Sequence, residues 1–201
     1  MATPSNYAVN GDTLEFAVFD AMGHGIASSQ LAHLAVTSYR HSRRTGLDLK
    51  ATYEALDGAV AERGLGEEFV TCVLGRLHVD TGELQWINVG HPLPILVRGG
   101  KVVRTLHCPP ALPAGLGVGD AVEVAHEVLE PGDRLCCITD GVVDAHRPGG
   151  EDFGEERLQS FLSQVAVGLD TMETVRRLTH TVLDHHGYLS DDTTVFLVEY
   201  R

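Results

Sequence analysis

The first strong strand signal in the chain is Leu14 to Phe19. Asn10-Gly11-Asp12 precedes it, and that triplet is a hairpin turn sequence, so a partner strand is expected around Tyr7 to Val9. After Asp20 a glycine-bearing loop leads into a long helix in which Ala27, Leu31, Leu34, Ala35 and Ser38 share one face. A second helix carries Leu49, Tyr53, Leu56 and Val60 at spacings of four, three and four, with Gly64 as its stop.

The period then changes. Phe69 to Val79, Leu84 to Val89, Ile95 to Val97 and Val102 to Leu106 read as strands, divided by Asp80-Thr81-Gly82, Gly90-His91-Pro92 and Gly99-Gly100. The expectation is a meander of antiparallel hairpins. Cys108 to Gly119 is rich in proline and glycine and reads as a loop. Strands resume at Ala121 to Val128 and Arg134 to Thr139, across the turn Glu130-Pro131-Gly132-Asp133. Two more helices follow. Leu158, Phe161, Leu162 and Val165 line the first, Val175, Leu178 and Val182 the second, and Thr193 to Tyr200 closes the chain as a strand. Helices come in pairs rather than alternating singly with strands. That order predicts an α+β layered fold of antiparallel sheets with helices packed outside, not a parallel doubly wound sheet.

Composition narrows the function classes. The chain has 201 residues, 43% hydrophobic, a length that suits one domain or two small ones and is ample for a sizeable core. A net charge of -13 argues against nucleic-acid binding and suits either a soluble cytoplasmic protein or a carboxylate cluster awaiting cations. There is no apolar run long enough to span a membrane, and Met1 to Asn6 lacks the features of a secretory signal. Cys72, Cys108, Cys136 and Cys137 form no CxxC pair and read as reduced packing residues. His180, His185 and His186 have poor spacing for zinc and fit a surface helix end better.

Three apolar strands touch an aspartate at one end: Phe16 to Phe19 runs into Asp20, Leu135 to Thr139 runs into Asp140, and Val195 to Val198 follows Asp191 and Asp192. If the third strand is antiparallel to the other two, the three carboxylates meet at one sheet edge. Converging carboxylates repel, and a divalent cation removes that cost, with oxygen donors selecting magnesium, manganese or calcium over zinc. Each aspartate taken singly is as well explained as a turn or cap residue. The glycines of Asp20-Ala21-Met22-Gly23-His24-Gly25 permit close backbone approach to a ligand, or simply a tight strand-to-helix turn.

Asp20-Ala21-Met22-Gly23-His24-Gly25, Asn88-Val89-Gly90-His91-Pro92, Thr139-Asp140-Gly141-Val142, Gly154-Glu155-Glu156-Arg157-Leu158 and Asp191-Asp192-Thr193-Thr194 occur in one order across nearly the whole chain. In that order and spacing they resemble the bacterial sporulation-type, RsbU-like (SpoIIE/RsbU-like) branch of the metal-dependent protein phosphatase 2C family. The resemblance implies an antiparallel β-sandwich flanked by pairs of helices. It implies a cytoplasmic phosphatase hydrolysing phosphoserine or phosphothreonine on an anti-anti-sigma-type regulatory protein, using two ions of Mn2+ or Mg2+. Asp20 would bridge the ions, the carbonyl of Ala21 would bind the second, Asp140 and Asp191 would bind the first, and a water on the metal would attack phosphorus.

Two departures shape the expectation. The family's Gly-Gly-Asp-x-x-Asp motif and further strands, which precede the Asp20 strand, have no counterpart here. Residues 1–201 therefore read as a single phosphatase-like domain, truncated at its start and lacking one ligand of the second metal. Met22 stands where eukaryotic members have a histidine, and His24 is not assumed to replace it. His91 could orient its loop or touch substrate, a structural hydrogen bond at the turn being preferred; Asp144 and Asp192 suit orienting or capping roles. The competing reading is a non-catalytic phosphatase-like binding module that has lost the second metal site; an unrelated acidic metal-binding domain is a third. Missing strands would leave a sheet edge open near Tyr7 to Val9, so a homodimer through that edge is also expected.

Overall fold

The strands in chain order are β1 (Ser5–Asn10), β2 (Thr13–Ala21), β3 (Val70–His78), β4 (Glu83–Val89), β5 (Ile95–Arg98), β6 (Lys101–Thr105), β7 (Ala125–Val128), β8 (Arg134–Ile138) and β9 (Val195–Glu199). The helices are α1 (Ile26–Arg44), α2 (Leu49–Gly64), α3 (Asp140–Val143), α4 (Gly154–Ser160), which runs on into a π-helical turn at Phe161–Val165, and α5 (Thr171–His186). The structure is a computed structural model that describes residues 5–64, 67–116, 122–146, 149–165, 167–186 and 193–201. They divide into two units, Met1–His91 with His107–Leu129, and Pro92–Leu106 with Glu130–Arg201. No helix among the described residues is long and apolar enough to cross a membrane.

The first unit holds an antiparallel sheet in the order β1-β2-β3-β4-β7. The expected hairpin is there: Asn10 pairs with Thr13 across Gly11-Asp12. Ala17 and Phe19 of β2, Cys72 and Leu74 of β3, and Ile87 and Val89 of β4 pack against α1 and α2 in one core cluster. On α2 the four periodic residues Leu49, Tyr53, Leu56 and Val60 are all buried, as their spacing predicts. Burying each is worth roughly 1.5–3 kcal/mol. Asp48 starts α2 by accepting from the Ala51 N–H at 2.8 Å.

Helix α1 is turned relative to expectation. Its buried residues are Leu31, Ala32, Ala35, Val36, Tyr39 and Ser42, while Ala27 is exposed and Leu34 and Ser38 are half-buried. The reason is that the helix has two neighbours rather than one. The Tyr39 ring meets Phe19 of β2 edge-on at 5.8 Å, and Ser38 Oγ donates to the Ala55 carbonyl of α2 at 3.4 Å.

The second unit holds the sheet β6-β5-β8-β9, again antiparallel. Ile95, Val97, Cys136 and Ile138 pack against Leu158, Phe161 and Leu162 of α4 and its π-helical continuation, and against Leu178 and Val182 of α5. The α+β class and the succession of helices in pairs, α1 then α2 and α4 then α5, agree with the sequence. The continuous meander does not. β4 pairs with β3 and β7, whereas β5 pairs with β6 and β8. Gly90-His91-Pro92 and Glu130 to Asp133 are therefore passages from one sheet to the other, not hairpin turns. At the first passage Gly90 takes φ 69°, and a Cβ there would come within 2.8 Å of Pro113 Cγ, so the chain leaves β4 along a path that only glycine fits. All four cysteines are free thiols.

Candidate active site

Asp20 stands where β2 leaves the sheet of the first unit. The four residues before it, Phe16 to Phe19, are fully buried, while Asp20 and Ala21 are half-buried and Met22 is exposed. β2 and β3 place Asp20 opposite Thr71 and Ala21 opposite Val70. The pairing extends one step further, since the Met22 N–H donates to the Phe69 carbonyl at 3.0 Å. Thr71 Oγ1 donates to the Asp20 carbonyl at 3.5 Å, and Ser28 Oγ, from the first turn of α1, donates to the Ala21 carbonyl at 3.3 Å. Beyond them Gly25 has φ 91° and ψ -156°, backbone that a side chain resists, and this sharp bend lets α1 begin close behind the aspartate.

His91 is buried, and its backbone is clasped by Asn88: the His91 N–H donates to Asn88 Oδ1 and Asn88 Nδ2 donates to the His91 carbonyl, both at 2.9 Å. Its Nδ1 lies 3.0 Å from Thr71 Oγ1. These bonds are of the structural kind preferred from the sequence. Thr71 and Ser28 were not legible as site residues, because only the β2–β3 register and the entry angle of α1 bring their hydroxyls to Asp20 and Ala21.

In the second unit Asp140 stands two residues after β8, opens the short helix α3 and is exposed. β9 runs antiparallel to β8 with Ile138 opposite Val195, so the segment entering β9 starts beside the one leaving β8. Hydrogen bonds fasten the two: Thr139 N–H to the Thr194 carbonyl at 3.1 Å, Thr194 N–H to Thr139 Oγ1 at 2.9 Å, and Thr193 Oγ1 to the Gly141 carbonyl at 3.2 Å. Asp191 and Asp192 lie outside the described residues. Asp144 caps the other end of α3, its N–H donating to the Asp140 carbonyl at 2.8 Å. The strand behind Asp191 is less buried than its apolar sequence suggests. β9 is half-buried throughout, because it is the outer strand of its sheet.

Among the described residues no three His, Cys, Asp or Glu side chains gather as a metal-binding group. The donors that the sequence singled out are all oxygens, which suits hard divalent ions. Thiolate ligation fits poorly: burial pushes the Cys136 thiol up to about 12, and raises Cys72 and Cys137 as well.

Residues 10–201 match the family described as Stage II sporulation protein E (SpoIIE). The chain belongs to the SpoIIE family. Its backbone superimposes on the RsbU and RsbW domains of Rv1364c from Mycobacterium tuberculosis with a TM-score of 0.86 at 26% identity, covering 98% of this chain and 54% of that one. The SiaA-PP2C domain of Pseudomonas aeruginosa gives 0.84 at 20% identity, covering 98% and 80%. The PP2C phosphatase domain of SpoIIE from Bacillus subtilis gives 0.78 at 22%, covering 97% and 58%. The fold of this SpoIIE-family chain is thus that of PP2C phosphatase domains. Among curated proteins it is 33% identical to Protein IcfG of Synechocystis over 108 residues and 22% identical to Stage II sporulation protein E of Bacillus subtilis over 185. It covers 53% and 90% of its own length in those matches and spans 17% and 22% of the two relatives.

Proposed function

We propose that this chain is the catalytic domain of a metal-dependent protein serine/threonine phosphatase acting on a phosphorylated regulatory protein of the anti-anti-sigma type. One observation carries the reading. In a chain of the SpoIIE family, Asp20 and Asp140 each stand where a buried strand leaves its sheet, Asp20 in the last two residues of β2 and Asp140 two residues after β8. The partner class is supported by the Mycobacterium tuberculosis relative, in which RsbU and RsbW domains occur together.

Asp20, the carbonyl of Ala21, Asp140 and Asp191 would hold Mn2+ or Mg2+. Bound there, the ions supply a nucleophile from water and neutralise charge on the phosphoryl oxygens. The chain's own part is presentation. The fully buried residues of β2 fix the strand that offers the Asp20 carboxylate, and the hydroxyls of Thr71 and Ser28 fix the two carbonyls that follow. Met22 and Ile26, both exposed, offer apolar contact beside Asp20 to a protein that carries the phosphate.

The test is hydrolysis of phosphoserine and phosphothreonine peptides with manganese titrated from zero. Saturable, metal-dependent turnover that a chelator abolishes is the expected result. Tight phosphopeptide binding without turnover at any metal concentration would instead favour the non-catalytic binding module.

A further inference from the structure

His91, Thr71 and Asp20 place three hydrogen-bonding atoms in series. His91 Nδ1 is 3.0 Å from Thr71 Oγ1, which is 3.5 Å from the Asp20 carbonyl oxygen. The histidine has little freedom to turn away. It is 5% exposed, and Asn88, also 5% exposed, holds its N–H and its carbonyl with the two ends of one side-chain amide.

A threonine hydroxyl has a single proton to give. If His91 Nδ1 is bare, it and the Asp20 carbonyl compete for that proton, and the nearer nitrogen takes it. The Asp20 carbonyl is then left without the Thr71 hydroxyl and keeps only its bond in the β2–β3 ladder. If Nδ1 carries the proton, the ring donates to Thr71 Oγ1, and the hydroxyl turns its own proton to the Asp20 carbonyl. Only the second arrangement makes both contacts attractive at once, and chains of this kind strengthen each other inside a protein.

We infer that Asn88, His91 and Thr71 form a positioning relay for the Asp20–Ala21 peptide, with His91 in the tautomer protonated at Nδ1. The relay acts where β2 ends. Thr71 holds the carbonyl of Asp20, and the Phe69 carbonyl holds the N–H of Met22 at 3.0 Å, so the peptide units on either side of Ala21 are pinned to β3. With both pinned, the Asp20 carboxylate and the Ala21 carbonyl are offered in one orientation. The consequence for metal binding rests on the phosphatase reading; the hydrogen bonds do not. The three relay residues work through the backbone of Asp20.

Nitrogen-15 NMR of the full chain without metal reads the tautomer. A pyrrole-type Nδ1 at His91 is expected, and a pyridine-type Nδ1 would overturn the proposal. Two variants extend the test. Thr71→Val keeps the shape and removes the hydroxyl; Thr71→Ser restores it. Amide exchange at Met22 is expected to rise about tenfold in Thr71→Val, the size of one lost hydrogen bond, and to return in Thr71→Ser. Manganese affinity by calorimetry is expected to fall roughly 10- to 100-fold in the valine variant alone, as for other groups that orient metal ligands. Unchanged Met22 exchange in Thr71→Val, or equal losses in both variants, would refute the relay. If the parent chain itself binds no manganese, the phosphatase reading fails, while the tautomer and the exchange rates still decide the relay.

Discussion

The ring of Phe16 on β2 lies across Gly75 on β3, so close that a Cβ built on the glycine would sit 2.2 Å from Phe16 Cζ. The two residues are direct partners in the strand register, and the same register sets Asp20 opposite Thr71. A slip by one residue would turn every side chain of β2 to the other face, so this contact helps to specify where Asp20 emerges.

Gly75→Ala should therefore destabilise the fold by about 1–3 kcal/mol, the usual range for overpacking. Urea unfolding measures it. Adding Phe16→Leu to the same chain should recover part of the loss, and a double variant no better than the single would show that the ring is not the obstacle.

Arg98 grips Asp133 through both carboxylate oxygens, Nε to Oδ1 at 2.8 Å and Nη2 to Oδ2 at 2.7 Å, tying β5 to the turn before β8. Asp133 is fully buried, and Oδ2 also accepts from the Glu130 N–H. Arg98→Met should cost about 3 kcal/mol, the low end for breaking a buried pair, because a third of Arg98 is open to water. Burial alone would raise the Asp133 carboxyl, but the Arg98 and Glu130 bonds outweigh it and hold it below the usual carboxylate range. A carboxyl lowered in the folded state stabilises fully above its unfolded pKa, about 3.9, and loses that contribution as pH falls through the folded value. The deficit of Arg98→Met relative to the parent should thus be constant above about pH 5 and shrink in acid. Urea midpoints from pH 7 down to pH 2 check it.

Asp140→Asn should abolish manganese-dependent hydrolysis of phosphoserine and phosphothreonine peptides. Asp140 is exposed, so its unfolding free energy should stay within about 0.5 kcal/mol of the parent. Equal metal-dependent turnover in an active parent and in the variant would remove Asp140 from the ligand set.

β1 lies at the end of the strand order β1-β2-β3-β4-β7, with Tyr7 66% and Val9 62% exposed. Such a strand invites pairing with a second copy. Light scattering over a range of concentrations should find a dimer, and Val9→Lys should shift it toward monomer. A chain that scatters as a monomer at every concentration would exclude this edge as an interface.

Local chemistry was enough to reveal much of this protein. The two-residue turn at Gly11-Asp12, the four buried residues of α2, and the aspartates at the ends of β2 and β8 all follow from periods and turn residues that act over a few positions. Partnership between strands did not follow. β4 and β5 are separated by only five residues and still belong to different sheets, because Asn88 and Gly90 turn the chain out of hairpin geometry and β7 takes the place beside β4. The hydroxyls of Thr71 and Ser28 illustrate the same limit. Each is an ordinary residue in its own segment, and each meets Asp20 or Ala21 only because cross-strand register and helix packing join positions far apart in the chain. Residue type and spacing reveal what a segment can offer; which groups share one volume is decided by long-range burial, which no local pattern encodes.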